Sequence, residues 1–217
     1  MSTITVQIVS DFVCPWCYVG KRRLDTALAQ FEDMDVKISW LPFQLSPDMP
    51  PEGKNRKQHY DSIFGAQKAA TIMADMAETG KEEGIAFTYT DDAMSPNTLM
   101  AHKLMFRAAE QGVDTDSLAE KLFEAHHVHC RNIGDVDVLA ELAASEGMDA
   151  AEVSDYLSSG EDGEIVANVM KQLRTEQVSG VPFIVLDGRL ALSGAQPVDV
   201  FVKALNQLQS LLQAESA

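Results

Sequence analysis

The sequence predicts an α/β fold in which a long all-helical insertion separates the two halves of a small sheet. A strand–helix–strand unit fills the first part of the chain, helical patterns occupy most of residues 54–177, and a β-hairpin followed by a helix closes it. This order predicts a discontinuous domain of residues 1–44 and 178–217, with residues 161–177 as a connecting helix. Residues 45–160 are predicted to form the inserted helical domain.

The N-terminal unit begins with the apolar segment Ile4–Val9, which alternates too little for an edge strand and predicts a buried one. Pro15 suits the first position of a helix, and apolar residues on one face extend that helix to about Phe31. Alternation of apolar and polar residues predicts a second strand over Val36–Leu41. Residues 11–14 therefore lie between a buried strand and a helix start.

Breaker residues after the second strand predict that the chain leaves the sheet there: Pro42, Pro47, Pro50, Pro51 and Gly53. Periodicity then predicts helices over Ala66–Glu83, from the residue after Asn97 to Glu110, and over Ser117–Val128, Asp135–Glu146 and Glu161–Gln177. The expected caps of three of these helices are Ser95, Asp116 or Ser117, and Asp135.

Strand signals return near the C-terminal end of the sequence. Phe183–Leu186 and Arg189–Leu192 are apolar segments separated by an Asp-Gly dipeptide at residues 187 and 188, which is typical of hairpin turns. Pro197 opens a last helix with an apolar stripe. These segments complete the predicted α/β part of the molecule.

Two cysteines, Cys14 and Cys17, stand one helical turn apart directly after the first strand. A CxxC pair is either half of a zinc site or a redox dithiol, and zinc needs about four ligands. The chain has just one more cysteine, Cys130. The strand–CxxC–helix context favours the dithiol over both a zinc half-site and two inert core thiols.

The position of Cys14 at the start of the helix predicts its role. Unpaired backbone N–H groups and the helix dipole favour an anion there, so Cys14 is the expected thiolate nucleophile. Cys17, one turn deeper, is expected to close the disulfide by attacking the mixed intermediate.

His126, His127 and His129 cluster beside Cys130, which raises the question of a metal site. Neighbouring residues on a helix point in different directions, and only His126 and Cys130 share a face. No metal is therefore predicted, and a solvated or partly buried helix end is the favoured interpretation.

Composition excludes several partners. The 217-residue chain is 46% hydrophobic and carries a formal net charge of −16, which disfavours nucleic acid and anionic membranes because both would repel it. The N-terminal residues lack an export signal, and no stretch of about 18 apolar residues exists. A cytoplasmic protein without a membrane partner is expected, in which a disulfide is transient and catalytic.

Val181-Pro182, before the hairpin, is the second chemically informative position. An X–Pro bond is usually trans, whereas a cis bond here would turn the Val181 backbone towards the dithiol, where its N–H and C=O can pair with an extended substrate.

Taken together, Cys14-Pro15-Trp16-Cys17 after a strand, the helical insertion, and Val181-Pro182 before a closing hairpin resemble the thioredoxin superfamily, specifically its DsbA-like members. Four further segments resemble the FrnE-type cytoplasmic branch: residues 9–11, 42–45, 95–98 and 194–197. The fold is also similar to those of kappa-class glutathione transferases and 2-hydroxychromene-2-carboxylate isomerases, which generally use a serine or a single cysteine.

The resemblance implies a thioredoxin-like fold and a protein-disulfide oxidoreductase of the DsbA type. It implies that Cys14 is the exposed nucleophile, that Cys17 resolves, and that Pro182 faces them in the cis form. The residues expected to contact substrate are Pro15, Trp16, Val181, Asn97 and Gly194.

For two of the expected substrate contacts, a second interpretation stays open. Trp16 either packs against substrate or covers the motif, and Asn97 either lines the cleft or caps a helix. Asp11 is a weak candidate proton acceptor, for which a turn or strand-end role is favoured.

The expected activity is exchange of the Cys14–Cys17 couple with protein or small-molecule thiols, without a cofactor, and with glutathione as a candidate co-substrate. The alternative is a glutathione-dependent isomerase or transferase that acts on a small aromatic or polyketide-like compound. Cys130 is a candidate third redox partner or glutathione site, although a spectator is the favoured interpretation. A monomer or a homodimer is expected.

Overall fold

A computed structural model describes residues 3–31, 33–176 and 178–215. Met1 and Ser2 of the predicted N-terminal region, Gln177 at the predicted end of the connecting helix, and the last two residues lie outside these ranges. Among the described residues, no helix combines the length and the apolar character that a membrane span requires.

A four-stranded mixed sheet forms the frame of the α/β part, in the order β2-β1-β5-β6. Its strands are β1 (Ile4–Ser10), β2 (Val36–Pro42), β5 (Phe183–Leu186) and β6 (Leu190–Ser193). β1 pairs parallel to β2 and antiparallel to β5, so the predicted buried strand is central. The hairpin turns at Asp187 and Gly188, which both have positive φ (52° and 65°), as the Asp-Gly dipeptide predicts.

The helices α1 (Pro15–Leu28) and α9 (Val198–Glu215) pack together against the sheet. They bury Leu24, Phe201 and Leu205 completely, in a core that includes Ile8 and Ile184 of the sheet. α1 begins at Pro15, as predicted, but ends three residues before Phe31.

The segment between β2 and β5 is helical apart from two strands of two residues, β3 (Lys54–Asn55) and β4 (Met94–Ser95). Its helices are α2 (Arg56–Phe64), α3 (Ala66–Glu82), α4 (Leu99–Glu110), α5 (Thr115–His127), α6 (Val136–Ala144), α7 (Ala150–Ser158) and α8 (Gly163–Thr175). Their apolar faces form a second core, which extends to Phe12 and Tyr18 beside the dithiol.

Carboxylate caps fix the starts of three of these helices. Asp135 accepts hydrogen bonds from the N–H groups of residues 137 and 138, as predicted for α6. The prediction for α5 was wrong, because Asp114 and not Asp116 or Ser117 accepts the free N–H groups at its start. Asp149 caps α7 in the same manner.

One arginine ties the insertion to the α/β part. Arg23 of α1 donates from Nε to Glu83 at 2.5 Å and from Nη1 to the carbonyl of Ala195 at 2.8 Å. Glu83 follows α3, and Ala195 follows β6. The contact therefore holds the helical segment and the hairpin against the same helix that carries the cysteines.

Candidate active site

Cys14 is the N-cap residue of α1, and Pro15 takes the first helical position. The Cys14 N–H donates to the Asp11 carbonyl at 3.0 Å, and the Cys14 Sγ lies 3.9 Å from the Val181 carbonyl oxygen. Both Cys14 and Cys17 are free thiols. The expectation of an exposed nucleophile was wrong in one respect, because Cys14 is only 4% exposed and meets solvent through a cavity.

Cys17 lies one turn deeper, and its N–H donates to the Cys14 carbonyl at 3.1 Å. It is 1% exposed. Burial raises the pKa of the Cys17 thiol well above its usual value, and the neighbouring Cys14 sulfur raises it further. Cys17 is therefore a neutral thiol at neutral pH, whereas Cys14 occupies the position at the helix end where an anion is favoured.

The segment before β5 faces the two sulfurs. The Val181–Pro182 peptide bond is cis. The Pro182 carbonyl accepts from the Gly194 N–H at 2.8 Å, while the Val181 N–H has no hydrogen-bond partner within residues 3–31, 33–176 and 178–215. Gly20 of α1 allows this close packing, because a Cβ there would lie 3.0 Å from Pro182 Cγ. We call Cys14, Cys17, Val181 and Pro182 the thiol edge.

A cavity of about 520 Å³ opens beside the thiol edge. One side is formed by residues around the dithiol, which are Asp11, Val13, Cys14, Pro15 and Trp16. The opposite side comes from the insertion, and we call its apolar part the helical wall: Tyr60, Ile63, Phe64, Ile72 and Met76. The mouth is completed by Leu45, Ser46, Met49, His59, Asp75, Ser95, Pro96 and Thr98. The two parts of the chain thus meet at a mostly apolar site.

The predicted substrate contacts divide into two groups. Pro15 and Trp16 line the cavity, and Trp16 is 45% exposed there. Val181, Asn97 and Gly194 are not among its lining residues. The Val181 carbonyl oxygen lies next to the Cys14 sulfur, and the Gly194 N–H donates a hydrogen bond to the Pro182 carbonyl.

The N-cap residue of α4 is Thr98, so neither Ser95 nor Asn97 takes the predicted cap position. The Asn97 side chain makes three internal hydrogen bonds instead. Its Oδ1 accepts from the Leu99 N–H at 3.0 Å and from Gln44 Nε2 at 2.9 Å, and its Nδ2 donates to the Met49 carbonyl at 2.7 Å. The side chain therefore joins the start of α4 to the loop after β2 instead of facing the cavity.

Asp11 is 1% exposed, lines the cavity, and is the first residue of the loop between β1 and α1. Its carboxylate accepts from the Leu45 N–H at 2.8 Å and lies 3.7 Å from His102 Nε2. That ring nitrogen is also 2.9 Å from the Phe43 carbonyl. These contacts fix the loop that carries Leu45 into the cavity mouth, which is the structural role favoured from the sequence.

Sequence reasoning missed the role of the helical wall, which is evident only from the exposure of its side chains in the structure. Ile63 and Phe64 are 54% and 41% exposed, which is unusual for large apolar side chains next to a deep cavity. The sequence Arg56–Phe64 has no strong apolar stripe, and so the periodicity of a buried helix does not identify α2.

The histidine cluster also differs from the prediction. His126 and His127 are 2% and 3% exposed, so they are core residues and not a solvated helix end. Burial and the charge of Arg56 lower the pKa of His127 to about 3, and burial lowers that of His126 well below its usual value. Cys130 follows the end of α5 with φ of 52°, so it does not share a helical face with His126.

Comparison with known proteins agrees with this architecture. The family model described as DSBA-like thioredoxin domain matches residues 5–206. The protein YwbO of Bacillus subtilis (strain 168), itself uncharacterized, is 26% identical over 208 residues, which is 95% of this chain and 98% of YwbO.

Solved structures give the same result. The probable DsbA oxidoreductase SCO1869 from Streptomyces coelicolor is similar with a TM-score of 0.87 and 30% identity, covering 95% of this chain and 90% of that one. A 2-hydroxychromene-2-carboxylate isomerase has a TM-score of 0.71 at 16% identity, covering 98% and 100%. The cytosolic disulfide reductase DsbM from Pseudomonas aeruginosa has 0.63 at 21%, covering 94% and 98%. The last two show similarity of fold alone. The family model spans nearly the whole chain, which therefore belongs to the DsbA-like thioredoxin domain family.

Proposed function

We propose that the protein is a cytoplasmic thiol–disulfide oxidoreductase in which Cys14 and Cys17 exchange electrons with protein or small-molecule thiols. The observation that carries this proposal is the pairing of two free sulfurs with different surroundings. Cys14 caps a helix at the edge of a cavity, and Cys17 lies beneath it as a buried thiol with a raised pKa. Retention of both thiols favours dithiol chemistry over catalysis by one cysteine.

Exchange proceeds in two steps. The Cys14 thiolate attacks one sulfur of a substrate disulfide, a Cys14–substrate disulfide forms, and the other substrate sulfur leaves as a thiolate. Cys17 then loses its proton and attacks the Cys14 sulfur, which releases the second substrate thiol and leaves a Cys14–Cys17 disulfide. The protein loses two electrons and the substrate gains them. The reverse sequence oxidises a substrate dithiol.

The raised pKa of Cys17 gives the steps their order. A protonated Cys17 does not compete with Cys14 for substrate, and it becomes a nucleophile only when its proton is removed next to the mixed disulfide. The Val181 backbone lies beside the Cys14 sulfur, where its unpaired N–H can bind an extended substrate chain. Val181 and Pro182 are thus the proposed positioning residues.

The names of similar proteins support this proposal to different degrees. A probable DsbA oxidoreductase and a cytosolic disulfide reductase support the dithiol reaction and the cytoplasmic location. The isomerase supports the second candidate, a glutathione-dependent reaction on a small aromatic compound, because the cavity is apolar and of a size suited to such a molecule.

An insulin-reduction assay with a dithiol reductant separates the two candidates. We expect the parent protein to accelerate reduction and the Cys17→Ser variant to lose nearly all of that acceleration. Absence of insulin turnover in the parent, together with full glutathione-dependent turnover of a small electrophile by Cys17→Ser, would replace the oxidoreductase with the isomerase or transferase.

A further inference from the structure

We propose that the cavity selects disulfides carried on apolar, non-acidic peptide segments and discriminates against glutathione disulfide. This inference rests on the proposed function and adds its substrate class. It is carried by two features of the cavity, which are the exposed apolar side chains around Cys14 and the absence of a lysine or arginine among the described lining residues.

The apolar surface is concentrated at this site. Among the described residues, six large hydrophobic side chains are exposed, and four of them line the cavity: Trp16, Leu45, Ile63 and Phe64. Trp16 lies between the two cysteines in sequence, and Ile63 and Phe64 are the last two residues of α2, on the helical wall. Covering such a surface with apolar side chains of a substrate removes it from water, which favours binding.

The ionisable groups that line the cavity are anionic or neutral at neutral pH. Asp11 accepts the Leu45 N–H, and Asp75 is an exposed carboxylate on α3. Burial and the charge of Lys54 lower the pKa of His59, so this ring is neutral at neutral pH. Lys54 itself is not a lining residue. A bound carboxylate therefore meets no cation in the described part of the cavity.

Glutathione carries two carboxylates and one ammonium group, so its disulfide brings four carboxylates to the site. Removing a carboxylate from water without a cationic partner is unfavourable. The overall charge of −16 adds repulsion at longer range. A peptide whose cysteine is flanked by apolar residues has no such groups, and its backbone can pair with the Val181 N–H.

Reduction of the peptide disulfide needs no electron donor other than the Cys14–Cys17 dithiol. The reduced protein donates two electrons to the peptide disulfide. The first peptide sulfur leaves as a thiolate that takes up a proton from the solvent, and the second leaves with the proton that Cys17 gives up as the Cys14–Cys17 disulfide forms. A dithiol reductant returns the protein to its reduced form.

The test compares oxidation of the reduced protein by four disulfides. Two are end-blocked cysteine peptides of equal length, one with Leu and Phe flanks and the other with Asp and Glu flanks. The others are glutathione disulfide and the small neutral hydroxyethyl disulfide. Each rate constant is divided by the rate constant for the same disulfide with dithiothreitol, which corrects for intrinsic reactivity. We expect the apolar peptide to react at least about tenfold faster than the acidic peptide and glutathione disulfide.

A matched pair of variants locates the selectivity. Ile63→Asp places a charge on the helical wall, whereas Ile165→Asp changes an equally exposed isoleucine on α8 that does not line the cavity (54% and 50% exposed). Ile63→Asp should remove most of the preference for the apolar peptide, and Ile165→Asp should keep it. Asp75→Lys should raise the relative rate with glutathione disulfide severalfold at low salt, and less at high salt.

The outcomes distinguish the inference from the proposed function. Equal normalised rates for all four disulfides, or equal effects of Ile63→Asp and Ile165→Asp, would overturn the selectivity and leave the oxidoreductase in place. Failure of hydroxyethyl disulfide and both peptides to oxidise the Cys14–Cys17 pair would overturn both.

Discussion

The thiol edge and the helical wall are built differently, although Cys14 of the thiol edge lines the same cavity as the helical wall. The thiol edge comes from the two ends of the chain, and its geometry depends on backbone contacts, a helix start and close packing against Gly20. The helical wall comes from the insertion and offers apolar side chains, two of which are more than 40% exposed. In the proposed function, the thiol edge carries the reaction and the helical wall adds apolar contacts to the substrate, so single substitutions should change one without the other.

The largest effect should come from Cys14→Ser on the thiol edge. Since a serine hydroxyl remains protonated and cannot form the mixed disulfide, turnover should fall by at least about a thousandfold for every substrate. The matched control is Cys130→Ser, which removes the remaining cysteine and should leave turnover unchanged. Rates with insulin and with hydroxyethyl disulfide check both, and a loss restricted to one substrate would break the proposed separation.

The second effect concerns the packing of the thiol edge. Gly20→Val adds side-chain atoms where a Cβ alone would lie 3.0 Å from Pro182 Cγ, so it should lower the free energy of unfolding by about 1–3 kcal/mol and reduce turnover. The control is Gly163→Val at the start of α8, where a Cβ would meet nothing within 4 Å. Urea unfolding of both variants is the measurement, and equal stability would contradict the packing argument.

The third effect concerns the core of the insertion. The pKa of His127 falls from 6.5 to about 3 on folding, because of burial first and then the charge of Arg56. Between pH 6.5 and pH 3 the unfolded state therefore binds a proton on this histidine that the folded state does not bind. The free energy of unfolding is highest above pH 6.5 in this respect and decreases as the pH falls towards 3. At pH 5 this histidine costs about 2 kcal/mol relative to neutral pH.

His127→Phe removes that cost and keeps an aromatic ring beside Phe123. Its free energy of unfolding should fall less steeply between pH 7 and pH 5 than that of the parent, with a residual slope from His126. His129→Gln changes a histidine that is more than half exposed and should retain the parent slope. An unchanged slope in His127→Phe would show that this ring does not stay neutral in the fold.

Much of the α/β part that carries the thiol edge could be predicted from the sequence because its signals are local. The apolar strand, Pro15 at the helix start, and the Asp-Gly turn each depend on a few adjacent residues, and the structure has them as predicted. The order of Cys14-Pro15-Trp16-Cys17, the helical insertion and Val181-Pro182 predicted the family, which the family model confirms.

The helical wall could not be predicted, since it depends on contacts between distant segments. α2 has no strong apolar stripe, and the role of its exposed apolar side chains is evident only from the cavity that they line together with Trp16. Asn97 was assigned to the cleft, but nearby backbone groups at Met49 and Leu99 bind its side chain instead. Because histidine is a polar residue type, the sequence favoured a solvated position for His126 and His127. Tertiary packing instead buries both residues among aromatic rings.

In the proposed mechanism Cys14 attacks and Cys17 resolves, and trapping the mixed disulfide on one cysteine distinguishes these two roles. Cys17→Ser is mixed with an excess of the apolar peptide disulfide, the released peptide thiol is counted, and the site of the adduct is mapped by mass spectrometry. We predict one thiol released per protein and a stable peptide adduct on Cys14, because the serine cannot displace it. An adduct on Cys130, or no adduct while the parent protein remains active, would contradict the roles assigned to Cys14 and Cys17.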